Sequence, residues 1–409
     1  MRLRKNYCWV IVLCAALLVF CCQGLTANCI SIYLSNMREA WGYTNSQISL
    51  FTTVRNLFSL LGVWIMGRFY RRVSLRAGLS FWSFMSAAAY WLGAWADRPA
   101  VFYTMAALLG LNFSLAGFAA ASMMVRRWFK NRLGLAVGIF SSATGVATVL
   151  VPSLITRLIQ ERGLRFACGA EGTFIALVSL TVLLLARSQP ADMGLEPYTG
   201  GGERSRRKHC LTRCPVPLSG REWIFVCACF FLQGLGVGPA LSNLSLHFAN
   251  CGFAAMDAAA AISMYGLCIW VGKLIFGYTV DRFGGKAASS VFLTVLGEAL
   301  AGICLLKPFP LRPLLLGATG LMGFGYTVMS VGCSIWAADL NTPENYDETV
   351  RRLQLPQMIG RVVGSLIPGV LADRFDSYVP AYAISLVSAL LFLLCLRGIY
   401  RRKTTVVPA

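Results

Sequence analysis

The sequence predicts an all-α membrane protein of twelve transmembrane helices in two six-helix bundles. Three observations predict it: a composition too apolar for a soluble domain, apolar runs of bilayer-spanning length along the chain, and an internal repeat that divides it near its middle. Of 409 residues, 57% are hydrophobic and 13% are charged, whereas soluble domains carry about a quarter charged residues.

A hydrocarbon core about 30 Å thick takes about 20 apolar residues per helix. Segments of that kind run over 8–34, 46–67, 77–96, 99–124, 133–156, 166–186, 223–248, 257–279, 287–306, 313–337, 354–372 and 380–397. They do not alternate polar and apolar residues with period two, which excludes a β-barrel. Arg2, Arg4 and Lys5 ahead of the first run imitate a secretory signal. That run is too long for a signal's apolar core, so it is expected as the first membrane helix. The eleventh segment is the least apolar, being glycine-rich and carrying Arg361.

The formal net charge is +20. In a soluble protein this would point to nucleic acid, but here the basic residues sit between apolar runs. Membrane topology explains that pattern, so lipid is the expected partner and nucleic acid is not. Groups such as Arg68, Arg71, Arg72 and Arg76, or Arg126, Arg127, Lys130 and Arg132, fall on the side of the N-terminus. Basic residues on that side outnumber those opposite by roughly three to one, which predicts a multi-pass protein of the cell (plasma) membrane with both termini cytoplasmic.

The long polar stretch 187–221, with Gly200–Gly202 and the basic run Arg204–Lys208, is expected as a cytoplasmic linker. It separates bundles at 1–186 and 222–409, and either rests on anionic lipid or is simply solvated. The halves repeat at a constant offset. Phe20, Gln23, Gly24 and Leu25 match Phe230, Gln233, Gly234 and Leu235. Further on, Leu34, Ser35, Gly42, Gly62, Gly67 and Arg72 match Leu244, Ser245, Gly252, Gly272, Gly277 and Arg282. Parallel six-helix repeats place a solute path between two bundles.

The 15 cysteines form no paired CxxC set and most lie in apolar runs, where a thiol behaves as a small hydrophobe. His209, Cys210 and Cys214 make one weak cluster, so no metal is expected. Two histidines, no GxxxxGK[ST] loop and no triad argue against an enzyme and against a cofactor.

Three cations fall inside apolar segments: Arg55 in the second, Lys273 in the eighth and Arg361 in the eleventh. Each costs roughly 2.5–3.5 kcal/mol to insert unless it faces water or a partner. Glu298 in the ninth is read as their acidic counterpart, a coupling group or a structural partner. The excess of positive charge favours a small organic anion, because a guanidinium holds a carboxylate through two parallel hydrogen bonds. Arg55 is as well suited to holding helix carbonyls. Gln23, Asn28, Gln233 and Asn243 on the first and seventh helices, and Tyr326 and Trp336 on the tenth, would either line the path or pack. His247, near a helix end, is expected at the membrane interface.

The loop GYTVDRFGGK, with Gly277, Asp281, Arg282 and Gly284, resembles the signature of the major facilitator superfamily. Its counterpart GRFYRRVSLR keeps Gly67 and Arg72 but has Arg71 in place of Asp and Ser74 in place of Gly. The stretch Arg127–Ile139, then Gly145, Pro152, Gly163 and Arg165, together with Ser188–Gly202, resembles the oxalate:formate antiporter and monocarboxylate transporter branch. That resemblance implies the major facilitator fold, alternating access, and a gating latch at Asp281 and Arg282 with Gly67 and Arg72 in the matching loop. It also implies carboxylate held by basic residues on the eighth and eleventh helices, at Lys273 and Arg361. The Arg and Lys of the branch are exchanged here, and Met358 stands where the branch carries an aromatic.

The expected function is secondary active transport of a mono- or dicarboxylate by exchange or proton symport, for which a monomer suffices. Two rivals stay open. A drug or metabolite exporter would want a mid-membrane Arg in the fourth helix and Gly-Pro-x-x-Gly-Gly in the fifth, both missing here. A non-transporting sensor or scaffold leaves Lys273 and Arg361 unexplained.

Overall fold

The structure is a computed structural model that describes residues 7–129, 133–198, 220–237, 240–340 and 346–405. The His209, Cys210 and Cys214 cluster and most of the expected linker lie outside them. Secondary structure in the described residues is almost wholly helical.

The first span is built from α1 (Tyr7–Val19), a π-helical stretch (Phe20–Cys29) and α2 (Ile30–Trp41). Its sequence carries Gly24 and several small polar residues mid-span, and π winding of this kind concentrates at functional sites. The chain continues through α3 (Asn45–Arg72), α4 (Leu75–Gly93), α5 (Pro99–Leu115), α6 (Phe118–Trp128), α7 (Leu133–Arg162) and α8 (Leu164–Leu185). The start of α3 is written in sequence as Thr-x-x-Gln. The Thr44 hydroxyl accepts from Gln47 N (3.2 Å) and the Gln47 Oε1 accepts from Thr44 N (2.9 Å), a capping box that satisfies two orphan donors.

The second half holds α9 (Gly220–Val237), α10 (Leu244–Asn250), α11 (Ala255–Cys304), α12 (Arg312–Leu340), α13 (Tyr346–Gly364), α14 (Ile367–Phe375) and α15 (Val379–Thr405). α11 contains the eighth and ninth spans, bent at Gly284. The chain divides into two compact units, Met1–Gly202 and Glu203–Ala409.

Among the described residues, eleven helices are long and apolar enough to cross a membrane. The remaining expected span, 77–96, corresponds to α4, whose 19 residues include Ser80, Ser83, Ser86 and Tyr90. These lower its mean hydropathy, yet its serines are turned inward. Ser83, for example, accepts from Ser179 on α8 at 2.8 Å.

Within the first unit, the first span packs on α7, α3 on α5, and α4 on α8. Within the second, α9 packs on α13, and α11 packs on both α12 and α15. The same pairing scheme thus recurs. Matched glycines behave alike too: Gly42 and Gly252 both take left-handed φ, at 69° and 85°.

The turn after the second span and the turn after the eighth differ as their sequences do. Gly284 has φ 84° and ψ 161°, a region open in practice only to glycine. Ser74, at the matching place, has φ −62° and caps α4 by accepting from Ala77 N at 3.3 Å. The degraded loop is therefore a second solution to the same turn. Gly284→Ala is expected to destabilise the protein by about 1–3 kcal/mol, seen as a lower melting temperature in detergent. Ser74→Gly should change it by only a few tenths of a kcal/mol, roughly the usual cost of glycine at a cap.

The stretch from Arg187 to Tyr198, expected within the linker, lies folded on the first unit. The Trp128 Nε1 donates to Arg187 O (3.1 Å), Tyr198 N donates to Trp128 O (2.8 Å), and the Tyr198 ring sits 5.5 Å from Phe129.

Candidate functional site

Among the described residues the second unit gathers the greater part of the expected binding groups. α13 carries Arg361 one residue after Gly360, and its glycines bring the α13 backbone against α9. A Cβ on Gly360 would meet Phe231 O, and one on Gly364 would meet Leu235 O. Held this close, the half-buried Arg361 side chain lies near Tyr265 of α11 and Cys333 of α12. Its Nε is buried and has no hydrogen-bond partner. A buried guanidinium nitrogen left without an acceptor costs free energy that an incoming anion would recover.

Around it stand further groups. Gln233 on α9 is 2% exposed. Its Nε2 donates to Met329 Sδ at 2.5 Å, and its Oε1 has no partner. Tyr326 packs its ring 6.1 Å from Tyr265. Cys333 Sγ approaches Gln357 Oε1 at 3.6 Å. Sequence reasoning singled out Gln233, Tyr326 and Arg361; it passed over Tyr265, Gln357, Met329 and Cys333. The signal available for these was their helical spacing from the named ones: Met329 and Cys333 lie one turn apart on α12, as do Gln357 and Arg361 on α13.

Lys273 lies two turns beyond Tyr265 on α11 and is half-buried. Gly272 beside it faces Thr327 of α12. Among the described residues Lys273 makes neither an ion pair nor a hydrogen bond, and no contact joins it to Arg361. An ion pair does form between Arg312 and Asp257, at 3.0 Å. Glu298 lies on an exposed face of α11.

In the first unit, Arg55 donates from Nη1 to Thr26 O in the π-helical stretch at 3.1 Å. This is the carbonyl-holding role that its position allowed. Asn28 on the same stretch donates to Thr148 Oγ1 of α7 at 2.7 Å. The Gln23 amide lies beside Gly117, where α5 gives way to α6. An apolar groove of about 530 Å³ between α4 and α8, lined by Phe81, Phe84 and Leu180 among others, includes none of these side chains.

Of the expected latch residues, Gly67 and Gly277 face open space. Arg72 and Arg282 are exposed. Arg282 donates to the Tyr278 hydroxyl at 2.8 Å and lies 5.5 Å over the Phe283 ring. The Asp281 side chain lies outside the described ones.

One residue departs from expectation. His247, expected at an interface, is fully buried, with its Nε2 3.0 Å from Ile303 O. Trp336 is buried as well, its Nε1 donating to Ser289 Oγ at 2.9 Å, so its role in this unit is packing.

The family model of the Major Facilitator Superfamily matches residues 16–259 and 223–408. Mouse (Mus musculus) Monocarboxylate transporter 12 is 22% identical over 430 residues, covering 98% of this chain and 87% of that protein. The Xenopus laevis protein of the same name is 23% identical over 314 residues, covering 73% and 67% respectively. Among solved structures, the nucleoside transporter NupG superposes with TM-score 0.73 at 11% identity, covering 97% of this chain and 99% of that one. A D-xylose-proton symporter superposes with TM-score 0.67 at 14% identity, covering 94% and 96%. At these identities the solved structures speak for the fold.

Proposed function

Because the chain belongs to the Major Facilitator Superfamily, a family of multi-pass membrane transporters, we propose that it carries a small organic anion, a mono- or dicarboxylate. Transport runs by exchange or proton symport, in the plasma membrane with both termini cytoplasmic. The observation that carries this reading is Arg361, a guanidinium inside the second unit whose buried Nε lacks an acceptor. Gln233 beside it keeps an unpartnered carbonyl oxygen. A carboxylate would accept from Arg361 and from the Tyr326 hydroxyl, while a substituent hydroxyl would donate to the free Gln233 carbonyl oxygen. Lys273, without a counter-ion among the described residues, adds positive potential to the same unit. Kinship in sequence with proteins named as monocarboxylate transporters supports the same class.

The test is uptake of labelled lactate, pyruvate, oxalate and succinate into proteoliposomes. At least one should accumulate above empty vesicles and raise the melting temperature of the purified protein, since ligand stabilises the state it binds. Lys273→Gln is expected to lower uptake about ten-fold, the worth of one charge-assisted contact. Wild-type protein that takes up none of the four, or a Lys273→Gln variant with unchanged uptake, contradicts the assignment. For the latch, Arg71→Asp should raise labelling of externally facing cysteines. An unchanged pattern would count against a closing role for that loop.

A further inference from the structure

Glu171, on α8, is the one acidic side chain among the described residues that is buried, keeping 9% of its surface. The Tyr33 hydroxyl of α2 donates to its Oε2. Its Oε1 has no partner, and neither has the buried hydroxyl of Tyr90 on α4, which lies beside the same carboxyl. The Tyr33 and Tyr90 rings meet edge to face, 5.5 Å apart. The other titratable groups turned toward the carboxyl are thiols: Cys21 and Cys29 from the first span and Cys168 from α8. None of these neighbours is a cation.

Two orphan polar atoms, a carboxyl oxygen and a tyrosine hydroxyl, therefore sit side by side in an apolar interior. Tyr90 can donate to that oxygen with its own proton, as Tyr33 does to the other. What the carboxyl lacks is a counter-charge, and an added proton removes the need for one. As a neutral acid, Glu171 would donate from Oε1 to the Tyr90 oxygen while still accepting from Tyr33. As an anion it would be a buried charge without a counter-ion, an arrangement costing several kcal/mol, roughly that of an uncompensated ion in a protein interior. The matching junction of the second unit needs no such proton. There His247 already bonds Ile303 O at 3.0 Å, and the Tyr382 hydroxyl donates to Ala240 O at 2.9 Å.

Position ties this group to the first span. Tyr33 follows the π-helical stretch by one turn, and Arg55 grips that stretch at Thr26 O. Any change in its winding moves Tyr33 relative to Glu171. We propose that Glu171 is a proton-binding site of the first unit, occupied when the first span packs against α4 and α8 as here, and that proton loss from Oε1 to water leaves a buried charge without a counter-ion, which loosens the packing of the first span on α4 and α8. Its consequence for transport rests on the carrier function proposed above, where the link makes the cycle sensitive to pH.

Infrared difference spectra of the reconstituted full chain between acid and alkaline buffer test the site without any substrate. The expected result is a protonated-carboxyl carbonyl band that grows as pH falls, is absent in Glu171→Gln, and is shifted in Tyr33→Phe. A band unchanged in Glu171→Gln, or no pH-dependent band, overturns the proposal. Should Glu171→Gln fail to fold, the Tyr33→Phe spectrum decides, since that variant keeps the carboxyl and removes one hydrogen bond.

In proteoliposomes, with pyruvate as probe, Glu171→Gln should reduce the pH dependence of uptake about ten-fold, the worth of one strong hydrogen bond. Retention of the wild-type pH dependence counts against the site. If wild-type protein moves no carboxylate, the substrate assignment fails alone, and the infrared band still decides the proton site.

Discussion

Arg361→Gln is expected to lower carboxylate uptake roughly 100-fold, the larger of the two cation effects, because a guanidinium offers a carboxylate two charge-assisted bonds at once. The side chain is half-buried beside Tyr265 and Cys333, with an Nε that nothing accepts from. Glutamine keeps the length and a donor but removes the charge and the planar fork. Lysine restores charge alone, so Arg361→Lys should recover only part of the loss. The check is initial uptake in proteoliposomes alongside a thermal melt. The melt matters, because removing a half-buried cation whose Nε lacks an acceptor should leave stability unchanged or raise it. A variant that melts no lower than wild type and does not transport separates a binding role from a folding one. Full uptake by Arg361→Gln would remove the main support for an anionic substrate.

The second large effect lies in the seam that positions this arginine. Gly234→Val places a branched side chain where a Cβ alone would press on Gln357 O and on Arg361 N. The contact is to backbone on both sides, so no rotamer change relieves it, and α9 must part from α13. Small residues at such crossings let helices approach closely, and overpacking costs typically 1–3 kcal/mol, occasionally more. We expect little folded Gly234→Val in detergent, judged by monodispersity on size exclusion. Gly234→Ala should give a folded protein with sharply reduced uptake, because Arg361 moves with the α13 backbone. Normal yield and uptake for Gly234→Val would mean that the seam is slack.

Much of the site was legible because charge inside an apolar run is conspicuous. Arg55, Lys273 and Arg361 stand out against a hydrocarbon background, and glycines at a fixed offset reveal a repeat. Glu171 was passed over although it stands in the sixth apolar run; in the sequence it has the same look as Glu298. One is buried against two tyrosines and the other is exposed. Helical periodicity does not separate these cases in a membrane, where the outward face is also apolar. Likewise, Arg55 stayed divided between binding a substrate and holding helix carbonyls until Thr26 O appeared within its reach.

The sequence by itself determined that this chain is helical, spans a bilayer many times, and is doubled, since bilayer thickness sets segment length and duplication leaves matched glycines. It also determined an excess of positive charge within the apolar runs. Only the tertiary structure decided which polar groups have partners, because hydrogen bonds between spans join residues dozens to more than a hundred positions apart. Arg361 and Glu171 carry buried atoms without partners while His247 and Trp336 are satisfied. That difference arises from how the helices pack and from no local pattern.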